Sequence, residues 1–249
     1  MTFEELRKEF IIKDSDIKPE LLDDYMKVFD SFSRTTQLSF YVIDAHKKRF
    51  IYVSDNPLFL SGYTRQEVLD MGYDFGKKVV SEEDQKRVSL FNWQVFNIFH
   101  SYPVETRLKM SFSFDYSLIQ PDKRSILINH KMTPICLSDS GQLWLALCVV
   151  TLSTKTAPGA ITIMLDGEPL DFNFYSGTYK MIKKEVVSLS RREKEVLQLS
   201  AQGNSNEQIA AKLFIDINTV KFHKRNIFSK LDVKNITEAI TFAQNNGTL

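Results

Sequence analysis

Residues 216–231 read DINTVKFHKRNIFSKL, and the spacing of this stretch predicts an amphipathic helix. One side of the helix carries the apolar residues Val220, Ile227 and Leu231. The basic residues share another side and are Lys221, Lys224, Arg225 and Lys230. A helix with this division can pack against a core and contact phosphate groups at the same time.

The segments around this stretch begin with residues that cap helices. Ser190 and Ser205 are each followed three residues later by a glutamate or glutamine, which is the spacing of a capping box. Asp216 suits the start of the third helix, and Asn235 offers the start of a fourth. Gly203 is placed to end the first helix. Four helices with a short connection between the second and third predict a helix-turn-helix in a small all-α bundle.

The segment 189–244 resembles the LuxR/GerE type of helix-turn-helix. The resemblance is carried by LSRREKEVL at its start, GNSNEQIAAKL in the middle and TVKFH in the recognition helix. Asp216 departs from the serine or threonine that is commoner in the family, but aspartate also caps helices well. The resemblance implies a transcriptional regulator that binds double-stranded DNA in a sequence-specific way.

The recognition helix supplies the candidate DNA contacts. Its exposed face and leading turn, with the flanking lysines, are predicted to comprise Asn218, Thr219, Lys221, Phe222, Lys224, Arg225 and Lys230. Arg225 is predicted to pair with guanine and Phe222 to contact a thymine methyl group. Lys224 and Lys230 are predicted to contact phosphates, which set position rather than sequence. The alternative from spacing alone is an ordinary solvated face, and His223 is predicted to serve packing or to touch phosphate.

The distribution of charge and the number of cysteines limit which partners, metal sites and compartments the sequence suits. Residues 180–249 hold twelve Lys and Arg against seven Asp and Glu, a net charge of +5, so the rest of this +1 chain is at −4. The basic excess therefore coincides with the helix-turn-helix. Cys136 and Cys148 do not form a disulfide framework or a zinc motif. The amino terminus lacks the apolar run of a signal peptide, and LWLALCVV is too short to span a bilayer, so we expect a soluble cytoplasmic protein without membrane contact.

Residues 37–154 have a different pattern, in which strands surround several helices. LSFYVIDA and RFIYVSD read as a hairpin, short helices follow, and three longer strands complete the segment. This order, with NPLFLSGYTRQEVL after the second strand, resembles a PAS domain, although the proline of that family's P-x-D segment is missing before SEEDQKRV. The resemblance implies a five-stranded antiparallel sheet with helices on one face. The predicted fold class is therefore α+β, with a PAS-like domain followed by an all-α helix-turn-helix domain.

Aromatic residues in this segment suit either a filled core or a ligand pocket. The candidate pocket residues are Tyr41, Trp93, Phe96, Phe112, Phe114 and Trp144. We expect a filled core, because an aromatic stripe usually packs internally, and the identity of any cofactor stays unknown. Haem is disfavoured because His100, the only plausible axial ligand, ends a predicted helix, where a histidine more often interacts with the helix dipole. Flavin photochemistry is disfavoured because it needs a reactive cysteine in a short helix, and both cysteines lie in predicted strands.

Four regions follow from these patterns: helices at 1–36, the PAS-like domain at 37–154, a linker with a hairpin at 155–188, and the DNA-binding domain at 189–249. The hairpin is predicted from Asp166-Gly167, a type I′ turn signal. We expect a homodimer whose contact lies in the first 155 residues, through leading helices that carry Phe3, Leu6, Phe10, Leu22, Met26 and Phe29.

Two other function classes compete with a DNA-binding regulator. A signalling adaptor would use the PAS-like domain to bind a protein, but the basic face of the recognition helix disfavours it. A small-molecule enzyme is disfavoured because the sequence has no phosphate-binding glycine loop, no GxSxG and no metal-ligand cluster. Control by a receiver domain is unsupported, because residues 37–154 do not alternate strand and helix.

Overall fold

The computed structural model describes residues 12–159, 161–173, 178–181 and 189–245. The chain divides into two compact units, Met1–Ile182 and Lys183–Leu249. Of the leading helices predicted within residues 1–36, residues 1–11 lie outside the described residues, and Phe3, Leu6 and Phe10 with them. None of the helices within the described ranges combines the length and apolar character that a membrane span requires.

The N-terminal unit is built on one antiparallel sheet of eight strands. They are β1 (Ser39–Asp44), β2 (Arg49–Val53), β3 (Met110–Ile119), β4 (Ser125–Leu137), β5 (Leu143–Leu152), β6 (Ile161–Leu165), β7 (Glu168–Asn173) and β8 (Thr178–Met181). Their order across the sheet is β2-β1-β5-β4-β3-β6-β7-β8. Neighbouring strands are antiparallel throughout, as predicted for the first five.

The predicted number of five strands is wrong, because three further strands extend the sheet beyond β3. Met110–Phe114 of β3 pairs with Ile161–Leu165 of β6. Asp166 and Gly167 then turn the chain with φ of 53° and 85°, the positive values that a type I′ turn needs. The hairpin predicted within the linker is therefore part of the sheet. Its pairing satisfies the backbone groups that β3 would otherwise leave open at an edge.

Five helices connect β2 to β3. They are α2 (Pro57–Leu60), α3 (Arg65–Met71), α4 (Asp74–Val79), α5 (Glu82–Ser101) and α6 (Val104–Arg107). The Ser81 hydroxyl caps α5 by accepting from the Asp84 backbone N–H at 3.2 Å. The buried Asp84 carboxylate in turn accepts from the Ser117 N–H at 3.1 Å, which ties the long helix to β3. The largest hydrophobic core of the unit lies between these helices and the sheet.

Helix α1 (Leu22–Thr35) packs with residues from the strands in a separate hydrophobic cluster. Phe29 is buried there with Phe40 and Tyr52, whose rings stack 5.3 Å apart. Leu22 and Met26 are also partly buried against clusters of the same unit. Phe29 was predicted to contribute to a contact with a second subunit, but it is buried within its own unit, whereas Leu22 and Met26 are only partly buried.

The C-terminal unit contains the four predicted helices, α7 (Arg191–Ala201), α8 (Asn206–Leu213), α9 (Ile217–Leu231) and α10 (Ile236–Asn245). Both predicted capping boxes form, at Ser190 with Glu193 and at Ser205 with Gln208. The helices enclose a single apolar core to which all four contribute. Its fully buried side chains include Val196, Leu197, Ile209, Val220 and Ile227.

Candidate DNA-binding surface and internal cavity

A tight turn places α9 directly after α8. Phe214 ends α8 in the left-handed conformation, at φ 54° and ψ 47°, and its side chain is 95% exposed. The Ile215 N–H donates to the Ala210 carbonyl at 3.0 Å, which closes the end of α8. The Asp216 carboxylate then accepts from the Asn218 N–H at 2.7 Å and starts α9. Three residues therefore reverse the chain in the manner of a helix-turn-helix.

Helix α9 has a buried side and an exposed basic side, as its spacing predicts. Val220 and Ile227 are completely buried and Leu231 is 6% exposed. Lys221 and Arg225 are exposed, and Phe222 is 51% exposed beside them. About half of the Phe222 surface stays in water on this basic face, so the ring is available for an external contact.

The other residues that were predicted to contact DNA differ in how far they are exposed. Asn218 is exposed at the leading end of α9, whereas Thr219 is half-buried. Lys224 is also half-buried, and burial lowers the pKa of its ammonium against the opposing attraction of Glu207. The exposed side of α9 has a shallow recess, which is lined by Asn218, Lys221, Lys224, Arg225 and Phe228.

Lys230 differs from the other basic residues because its ammonium contacts a carboxylate of its own domain. Its Nζ atom lies 2.7 Å from Oε2 of Glu193, a residue that is 3% exposed at the start of α7. Burial alone raises the pKa of the Glu193 carboxyl, but hydrogen bonds from Lys230 and Ser190 bring it below its ordinary value. Lys230 was predicted to contact phosphate. In the structure it joins α9 to α7 and thereby fixes the orientation of the recognition helix.

A cavity of about 770 Å³, partly open to solvent, lies between the helices and the sheet of the N-terminal unit, where a filled core was expected. Four of the six predicted pocket residues line it: Tyr41, Phe96, Phe112 and Phe114. Trp93 is not among the lining residues, although it lies one turn before Phe96 on α5. Trp144 instead packs with Ile12, Ile17 and Leu145. The register of β4 against β5 shifts on both sides of Cys136, so simple alternation fails around Trp144.

Sequence reasoning missed a group of polar side chains in the cavity wall. The Tyr41 hydroxyl lies 2.8 Å from Nε2 of His130, and the Tyr116 ring lies 5.9 Å from the His130 ring. The alternation of side chains between the two faces of β3 and β4 could have identified these residues from the sequence. It places Tyr116 with Phe112 and Phe114, and His130 with Ile128 and Met132.

Burial keeps these polar groups uncharged at neutral pH. It lowers the pKa of His130 to about 4 and raises the pKa of the Cys148 thiol to about 12. It also raises the pKa of the Tyr41 and Tyr116 hydroxyls well above the ordinary value. His100, considered above as a haem ligand, has Nδ1 2.8 Å from the Phe96 carbonyl oxygen and Nε2 2.5 Å from Oε1 of Gln142. Both of its ring nitrogens therefore take part in contacts within the protein.

Comparison with known proteins places the C-terminal unit in a family. Residues 187–243 match the GerE model, described as bacterial regulatory proteins of the luxR family. The csgAB operon transcriptional regulatory protein of Salmonella typhimurium is 46% identical over 72 residues, which are 29% of this chain and 33% of that protein. LiaR of Bacillus subtilis is 51% identical over 59 residues, 24% of this chain and 28% of its own length. The match thus covers about a third or less of the length of each of these curated relatives.

A solved structure of the VqmA dimer of Vibrio cholerae, described among LuxR-type receptors, covers 89% of this chain and 88% of its own at 18% identity and a TM-score of 0.36. That overall likeness is too low to support an inference. The match at 187–243, the two capping boxes and the exposed basic face of α9 agree with one another. The C-terminal unit is therefore a helix-turn-helix domain of the luxR family of bacterial regulatory proteins, and it follows an N-terminal unit with the element order of a PAS domain.

Proposed function

We propose that this chain is a sequence-specific transcriptional regulator in which α9 reads DNA and the PAS-like unit senses a signal. The observation that carries the proposal is the exposed set Lys221, Phe222 and Arg225 on a helix whose other side is fixed in the core. A DNA-binding regulator of a bacterial family acts where the chromosome is, so we also propose the cytoplasm as its location.

The exposed face suits insertion of α9 into the major groove. The Arg225 guanidinium can donate two parallel hydrogen bonds to the O6 and N7 atoms of guanine, and the Phe222 ring can contact a thymine methyl group. Lys221 lies one turn before Arg225 on this face, near the base edges, and the half-buried Lys224 lies at its side, where it can contact phosphates. Asn218 and Thr219 stand at the leading end of the helix. Lys230 is 40% exposed, and we propose that its ammonium, which contacts Glu193 through one donor, also contacts a phosphate.

Selection from a random DNA pool tests this function. The full chain is expected to enrich an inverted repeat whose half-site centres are about one helical turn, roughly 34–36 Å, apart, because two-fold related recognition helices meet the duplex at that spacing. The readout is the enriched sequence after several rounds at a fixed salt concentration. Enrichment of no motif above the starting pool would contradict sequence-specific binding. A single unrepeated half-site would contradict the dimeric arrangement.

We propose a homodimer whose contact lies on the exposed side of α1. Val28 is 61% exposed and Phe32 is 41% exposed, one helical turn apart. Leu21, 37% exposed, continues the same side toward the start of the helix. Pairing of two copies through this side would remove apolar surface from water, while Phe29 stays buried within its own chain.

Substitution of Phe32 by glutamate is expected to weaken self-association at least tenfold, because a carboxylate would enter an apolar contact without a partner. Sedimentation of the full chain at about 20 µM measures the change, since a dimer is concentration-dependent. Leu90→Glu is the matched control, because Leu90 is 44% exposed on α5 rather than on α1. A wild-type monomer at that concentration, or equal effects of the two substitutions, would show that α1 does not form the contact.

A further inference from the structure

We propose that the cavity of the N-terminal unit binds an uncharged aromatic molecule of low molecular mass, held by a hydrogen bond to the Tyr116 hydroxyl. The proposal deepens the sensor role and rests on it, since the bound molecule would be the signal. The cavity volume of about 770 Å³ falls within the range of about 300–1,000 Å³ that is usual for small-molecule sites. The two cavity features that carry the proposal are its ring-lined wall and a tyrosine hydroxyl that has no hydrogen-bond partner among the described residues.

The wall presents aromatic rings from both the sheet and the helices. Phe91 of α5 stacks on Phe114 of β3 with ring centroids 4.7 Å apart, and Tyr41 stacks on Phe59 at 4.2 Å. Phe112, completely buried on β3, also lines the cavity. Flat rings gain most from offset or edge-on contact with other rings, so this wall favours a flat aromatic ligand.

The interior offers no counter-ion for a charged ligand. Among the described residues that line the cavity there is no aspartate or glutamate. The lining lysines are Lys48 and Lys77, both exposed, and Lys77 forms an ion pair with Asp74 at 2.6 Å. A carboxylate or ammonium group on the ligand would lose its hydration without gaining a partner, which costs several kcal/mol in a buried site. The ring-lined part of the cavity, away from Lys48 and Lys77, therefore disfavours ionised groups.

One hydroxyl is positioned to hold the ligand. Tyr116 is 7% exposed and lines the cavity, yet within the described ranges its hydroxyl has no hydrogen-bond partner. The hydroxyl oxygen is not among the unpartnered side-chain atoms that are closed off from water, so a molecule in the cavity can reach it. The raised pKa of Tyr116 keeps the hydroxyl protonated, so it can both donate and accept. His130, already bound to Tyr41 through Nε2, lies on the neighbouring strand and is neutral. A ligand with a hydroxyl or a ring nitrogen could form a hydrogen bond with the Tyr116 hydroxyl.

Two dyes with the same ring skeleton test the charge preference. N-phenyl-1-naphthylamine is uncharged at neutral pH, whereas 8-anilino-1-naphthalenesulfonate adds one negative charge to the same rings. The full chain, without DNA, is expected to bind the uncharged dye at least tenfold more tightly, measured by the rise in dye fluorescence. Val95→Trp, which narrows the cavity from α5, is expected to weaken binding of the uncharged dye while circular dichroism stays unchanged. Equal affinity for the two dyes, or undiminished binding in Val95→Trp, would overturn the proposal.

A second pair of probes tests the hydroxyl. 2-Naphthol and naphthalene differ by one hydroxyl group, and each is used to displace the uncharged dye. Tyr116→Phe is expected to weaken displacement by 2-naphthol roughly 2- to 12-fold, the fold-change of one hydrogen bond, and to leave naphthalene unaffected. Tyr63→Phe is the matched control, because Tyr63 does not line the cavity. Equal behaviour of Tyr116→Phe and wild type would overturn the assignment of Tyr116.

These measurements contain no DNA, so they separate the cavity from the proposed function. Failure of dye binding together with success of the DNA selection would refute the ligand site and leave the regulator standing. Dye binding with the predicted preference and no enriched DNA motif would support the ligand site and refute the regulator.

Discussion

Acidification from pH 7 to pH 4 is expected to lower the free energy of unfolding of the N-terminal unit by about 3 kcal/mol through His130 alone. Burial lowers the pKa of His130 from 6.5 to about 4 in the folded protein. Between these two values the unfolded chain binds a proton that the folded protein refuses, so stability falls as the pH falls. About 2 kcal/mol of the loss is expected by pH 5, and the loss levels off below pH 4.

The measurement is urea unfolding at pH 7, 5 and 4, followed by tryptophan fluorescence. Both tryptophans of the chain, Trp93 and Trp144, lie in the N-terminal unit, so the signal does not report the helix-turn-helix domain. His130→Gln keeps a neutral polar side chain and is expected to lose this part of the pH dependence. The matched control is His223→Gln, which removes an imidazole from the other unit. The same acid sensitivity in His130→Gln and wild type would contradict the burial of a neutral histidine.

The helix-turn-helix was predictable from sequence because its information is local. Ser190, Ser205 and Asp216 cap the segments that they precede, and the structure confirms each bond. The sides of α9 follow from helical spacing, which separates Val220 and Ile227 from Lys221 and Arg225. Local patterns of this kind need no knowledge of distant contacts.

What sequence reasoning missed depends on contacts between residues far apart in the chain. Lys230 looks like any basic residue of α9 until the fold brings it to Glu193, 37 residues earlier. The pairing of β6 with β3 and the packing of Phe29 within its own unit are set by free sheet edges and faces that a one-dimensional pattern does not reveal. The position of Trp144 follows from a register shift at Cys136, which breaks the strand alternation that the prediction assumed.

Substitution of Arg225 by alanine is expected to weaken binding to the selected DNA site by roughly 1–3 kcal/mol and to relax the preference at one base position. The reason is the loss of a bidentate contact with a guanine edge by an exposed side chain at the centre of the basic face. Lys224→Ala is expected to behave differently, because a phosphate contact carries no sequence information. Its affinity should fall on all DNA, with a slope of log K against log salt that is shallower by about 1.

The most direct test of the account compares the affinity of wild type, Arg225→Ala and Lys224→Ala for the selected site and for random DNA over a series of salt concentrations. Arg191→Ala is the matched control, since Arg191 is 95% exposed on α7 rather than on α9. We predict that Arg225→Ala lowers the ratio of specific to random affinity, that Lys224→Ala leaves the ratio unchanged but flattens the salt dependence, and that Arg191→Ala resembles wild type. Equal losses on both DNAs for Arg225→Ala and Lys224→Ala would contradict base reading by α9.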